Sequence, residues 1–131
     1  MWCMASWPGR YASLLFGLCL TFYVRAESFQ ILQTSPVAGF QHYAGNALFP
    51  FMQAGDVLTL ARDPGNPHDD RAIRVYWHGV QIGHVPRREN IDLTRFMDRG
   101  FRVEGRILNL QASRNPWQRM LMEIVLVEEK P

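Results

Sequence analysis

The stretch VLTLARDPGNPHDDRAIRVYWHGVQIGHV, residues 57–85, carries the strongest structural signal in the chain. Val57 to Arg62 alternates apolar and polar residues, the period-2 pattern of a strand with one face buried. Asp63-Pro64-Gly65-Asn66-Pro67-His68-Asp69-Asp70 then gathers the turn-forming residue types into one loop. Beyond it, Ala72 to Trp77 and Val80 to Val85 read as two short strands joined by His78-Gly79, a two-residue connection suited to a hairpin.

Working outward, Ser28 to Gln41 is apolar and β-branched but broken at Pro36, which predicts an opening strand that bends or restarts there. Asn46 is placed to cap a short helical turn, and Gly55-Asp56 ends that connector. After Pro86, Ile91, Leu93, Phe96 and Met97 mark one apolar side of a helix over RRENIDLTRFMDRG, with Gly100 at its C-terminal stop. Phe101 to Gln111 and Arg119 to Glu128 are expected as two longer strands around a loop at Ala112 to Pro116. Many short strands with one good helix predict a mainly β fold, a small OB-like β-barrel with one or two short helices.

At 131 residues and 47% hydrophobic content, the chain can build one compact core and not two. Its 20% charged residues and mean hydropathy of −0.16 exclude a disordered chain and a multi-span membrane protein. Residues 1–26 differ from the rest. Arg10 precedes an apolar run from Tyr11 to Val24, and Val24-Arg25-Ala26 fits a signal-peptidase site before Glu27. The expectation is a secretory signal over 1–26, a mature domain over 27–131 with no membrane span after processing, and a periplasmic or secreted location. An uncleaved anchor gives the same pattern, as does a start codon set too far upstream, which would leave the protein cytoplasmic.

Cys3 and Cys19 both lie in that leader, so the mature domain would hold no disulfide, thiol nucleophile or cysteine zinc site. Loss of Arg10 and Arg25 takes the 14 basic residues to 12, level with the 12 acidic ones, so anion recognition must come from local arrangement. The four histidines show no metal-binding spacing, and neither a metal nor another cofactor is expected. No phosphate-binding Gly-rich loop and no Gly-x-Ser-x-Gly elbow occurs, and the only lysine is Lys130. The chain is therefore expected to recognise a ligand without reacting with it.

Three segments in order resemble the HIRAN family: Val37-Ala38-Gly39-Phe40-Gln41-His42-Tyr43-Ala44-Gly45, then Arg62 to Val75, then Gly83-His84-Val85-Pro86-Arg87. The resemblance implies an OB-like barrel that binds single-stranded DNA, particularly at a free 3′ end. It implies an accessory domain and not an enzyme, since the helicase relatives carry their ATPase elsewhere. By position, His42 and Tyr43 would stack on bases, Asn66, His68 and Asp69 would hold the terminal nucleotide, and His84 and Arg87 would contact backbone. Gln41 stands where helicase members have a basic residue, and His42 and His68 stand where tyrosines are common. Those departures, with the neutral mature charge, leave open a second reading: an exported protein- or glycan-binding module on the same fold. The partner is thus a nucleic-acid end or else a protein, and the domain is expected to be a monomer.

From residue chemistry alone, Asp69 or the Asn66 amide suits a terminal hydroxyl, which both donates and accepts. Tyr43 can stack, and Arg87 with Arg88 can pair with phosphate. His84 reads equally as a core histidine. Tyr76 and Trp77 read as sheet residues, and Arg95, Arg99, Arg102 and Arg106 as a solvated face alternating with Asp98 and Glu104.

Overall fold

The computed structural model describes residues 28–128, so the expected leader lies outside the described residues. Six strands form one antiparallel sheet: β1 (Ser28–Pro36), β2 (Val57–Arg62), β3 (Ile73–Trp77), β4 (Val80–His84), β5 (Val103–Leu110) and β6 (Met120–Glu128), in the order β1-β6-β5-β2-β3-β4. Two short helices, α1 (Gly45–Leu48) and α2 (Ile91–Asp98), sit in the connections. The fold is mainly β and OB-like, as the strand pattern predicts.

Alternation decides which face each strand buries. Leu58 and Leu60 of β2, Ile73 and Val75 of β3, Ile82 of β4, Ile107 of β5, and Met122 and Ile124 of β6 point into one cluster. Phe40 and Leu93 join it from the β1–β2 connection and α2. On the opposite face the Arg106 guanidinium lies 3.9 Å from the centre of the Phe29 ring, and Arg102 pairs with Glu104. Those arginines are thus taken up locally.

The sheet does not close through a full ladder. β1 stops at Pro36, and the restart that the proline predicts is one isolated bridge between Ala38 and His84 of β4. That bridge needs Gly83: a Cβ there would stand 2.4 Å from the Ala38 carbonyl oxygen and 2.5 Å from Val37 Cγ1. The expected strand therefore becomes a strand, a bridge and a 3-10 turn over Phe40–His42.

Two other expectations change in detail. Asn46 does not cap α1; the cap position is Ala44, and the Asn46 side chain instead accepts from Arg119. The helix expected after Pro86 splits into a 3-10 turn, Arg87–Glu89, and α2, because Asn90 turns inward between them. Its stop is as expected: Gly100, at φ 87°, donates to Met97 O at 3.0 Å while Phe101 donates to Phe96 O at 3.1 Å. The Phe96 and Phe101 rings meet edge to face at 5.7 Å and seal that Schellman motif. The His78-Gly79 turn has positive φ at both residues, 46° and 78°, matching the right-handed twist of the β3–β4 hairpin.

Candidate nucleic-acid interface

The loop from Asp63 to Arg71 is held from within and from both sides. Asn66 Oδ1 accepts the backbone N–H groups of His68 at 2.9 Å and Asp69 at 3.3 Å, the bonding of an Asx turn. Asn66 Nδ2 donates to Asp63, whose carboxylate also takes Arg74 Nε at 3.0 Å. The Arg62 guanidinium donates to the carbonyls of Ala72 and Asp70 and pairs with Asp98 of α2 at 3.0 Å. Turn residues alone would have left this loop free to move; the two arginines anchor it to β2, β3 and α2.

Asp69 is engaged at both oxygens. Oδ1 accepts the Arg71 backbone N–H at 3.0 Å, and Oδ2 accepts Asn90 Nδ2 at 2.7 Å. Desolvation is the largest influence on its carboxyl and pushes the pKa up, but the Arg71 N–H, the Asn90 amide and the charges of Arg87 and Arg71 together outweigh it. The carboxyl therefore titrates below its ordinary value and is ionised at neutral pH.

Facing this loop, the Ala38–His84 bridge brings the 3-10 turn alongside β4. The Tyr43 ring meets the His84 imidazole edge to face, with centroids 5.5 Å apart. Burial, and then the nearby Arg74 charge, lower the His84 pKa against the opposing pull of Asp63 and Asp69, so the ring is neutral at pH 7. A neutral imidazole offers one donor and one acceptor.

These parts enclose a cavity of about 320 Å³ lined by Tyr43, Asn66, His68, Asp69, His84 and Arg87, with Ala38, Ala72 and Val85 as its apolar part. Six of the eight residues singled out from sequence thus share one cavity. Gln41 and His42 do not line it. They lie exposed on the 3-10 turn with their side-chain nitrogens 3.2 Å apart, because successive residues of a tight turn point in different directions. Size does not distinguish this cavity, since one of about 470 Å³ lies beside Asn46, Phe49 and Arg119. Its chemistry does: an aromatic face, an ionised acceptor, a neutral imidazole and a guanidinium converge.

Sequence reasoning did not place Trp117. It is 53% exposed, in a 3-10 turn whose first N–H donates to Asn115 Oδ1, and it lines a neighbouring cavity of about 500 Å³ with Pro36, Pro86, Arg87, Arg88 and Glu89. Arg87 belongs to both cavities. The available signal was a tryptophan after proline in an otherwise polar loop, where no core position accounts for it. Among the described residues no cluster of His, Cys, Asp and Glu could hold a metal ion, and no helix is long and apolar enough to cross a membrane.

A sequence model of the HIRAN domain matches residues 32–129. The chain belongs to the HIRAN family. Solved structures agree in fold with this HIRAN chain. A crystal structure of a Lactobacillus plantarum protein is 25% identical, with a TM-score of 0.68, over 79% of this chain and 99% of that one. The crystal structure of the HIRAN domain of human HLTF is 24% identical, with a TM-score of 0.61, over 79% of this chain and 81% of that one. An NMR structure of the same HLTF domain gives 19% identity and a TM-score of 0.50, over 78% of this chain and 80% of that one. No curated protein sequence matches the chain.

Proposed function

We propose that this HIRAN domain is a non-catalytic module that binds single-stranded DNA at a free 3′ end. The observation that carries the reading is the single cavity shared by Tyr43, Asn66, His68, Asp69, His84 and Arg87. A terminal sugar hydroxyl can donate to the ionised Asp69 carboxylate, a base can lie against Tyr43, and the Arg87 guanidinium can take a phosphate oxygen. The adjoining cavity extends the same chemistry, since Arg88 adds a second guanidinium and Trp117 a second stacking face. An exported location belongs to this proposal on the strength of the 1–26 segment; N-terminal sequencing of the expressed protein would then begin at Glu27.

The test is fluorescence anisotropy with labelled single-stranded oligonucleotides carrying a free or a blocked 3′ hydroxyl, at two salt concentrations. Binding that requires the free end and weakens steeply with salt supports the reading. Equal affinity for both ends removes end recognition, and no binding to either oligonucleotide removes nucleic acid as the ligand.

A further inference from the structure

Asn90 is fully buried between the Arg87–Glu89 turn and α2. It occupies the N-cap position of α2, where an asparagine ordinarily accepts from the first turn, yet its side chain makes no capping bond. Instead Nδ2 donates to Asp69 Oδ2 at 2.7 Å and to the Arg71 carbonyl at 2.9 Å. Both partners are acceptors, so the amide must face them with its nitrogen, and Oδ1 is left buried without a hydrogen-bond partner. An orphaned buried acceptor costs stability, and a residue kept only for packing would be better apolar. Thr94 already ties α2 to the same Arg71 carbonyl, at 3.2 Å, so joining loop to helix does not require Asn90 either.

We propose that Asn90 is a positioning residue for the end-binding cavity, its buried amide orienting the Asp69 carboxylate as an acceptor. This rests on the reading of the cavity as an end-binding site. The Arg71 N–H and the Asn90 amide approach the carboxylate on different oxygens, so together they fix its plane. Asn90 also sits between the loop that carries His68 and Asp69 and the turn that carries Arg87, and so sets the spacing of two cavity walls.

The experiment has two readouts on the same proteins: an NMR titration of the Asp69 carboxyl carbon, and the ratio of affinities for free and blocked 3′ ends. Asn90→Ala should raise the Asp69 pKa and reduce the end preference, whereas Thr94→Val, which loosens the same joint without touching Asp69, should leave the pKa in place. Asn90→Asp puts two carboxyls at hydrogen-bond distance, where they share a proton at low pH and repel when both ionise. Its end preference should survive in acid and disappear as pH rises, unlike the wild type. An unmoved Asp69 pKa in Asn90→Ala, or an equal shift in Thr94→Val, overturns the proposal. A shifted pKa with no oligonucleotide binding by the wild type leaves the coupling between Asn90 and Asp69 standing and removes the DNA reading alone.

Discussion

The backbones of Ala38 and His84 exchange two hydrogen bonds, 2.8 and 2.9 Å long, and this one bridge joins the segment after β1 to β4. It brings Tyr43 against His84 and so places one wall of the cavity. Fold and site therefore meet at a position where the chain has no room for a side chain, Gly83.

Gly83→Ala follows directly. The added methyl must displace the Ala38 carbonyl and Val37, and overpacking of this kind costs about 1–3 kcal/mol. Thermal unfolding should show a Tm lower by roughly 4–8 °C for each kcal/mol lost, as in other domains of about 100 residues. Oligonucleotide affinity should fall with it, because Tyr43 loses its position. An unchanged Tm would mean that the bridge carries no stability.

Tyr43→Ala should behave differently. The side chain is half-exposed, so Tm should hardly move, while affinity for a free 3′ end should weaken by about 1–3 kcal/mol, the value of one base on an aromatic face. Anisotropy beside a melting curve separates the two effects. Full affinity in this variant would remove the stacking role.

For Arg87→Ala the informative quantity is the salt dependence. One lost phosphate contact should reduce the slope of log K against log salt by about 0.7, the single-strand value. Arg87→Lys keeps the charge and should restore the slope, with an ammonium in place of the planar guanidinium. A slope that stays the same in Arg87→Ala would place the phosphate elsewhere.

The pH dependence of stability has a definite sign. The His84 pKa is lowered in the fold, so below the ordinary histidine range the unfolded chain takes up a proton that the native one refuses, and stability falls as pH drops through that range. Asp69 and Asp56 also have lowered pKa values, Asp56 chiefly through the Gln53 N–H and then the Trp77 indole. Their stabilising contribution is present above the unfolded carboxyl value of 3.8 and is lost as pH falls below it through the folded values. Melting curves from pH 7.5 to pH 3 should descend in two stages, and His84→Gln should flatten only the first. A variant that keeps both stages would assign the upper one to another group.

Much of this protein was legible in order along the chain. Alternation in Val57 to Arg62, the turn residues from Asp63 to Asp70 and the two-residue connection His78-Gly79 set the β2–β3–β4 unit, because strand period and turn chemistry are local properties of the backbone. The stop at Gly100 was legible for the same reason. Motif order likewise brought six of the eight candidate residues to one cavity without any knowledge of their spacing in three dimensions. Tertiary structure decided what depends on residues far apart in sequence. It separated Gln41 and His42 from Tyr43, moved Asn46 from a cap to a partner of Arg119, and set Trp117 beside Arg87 and Arg88. It also turned Asn90 away from the helix it begins and onto Asp69, 21 residues earlier. A capping preference is a local tendency of about 1 kcal/mol, and a buried charge-assisted hydrogen bond to a carboxylate outweighs it only once the fold has brought the two together.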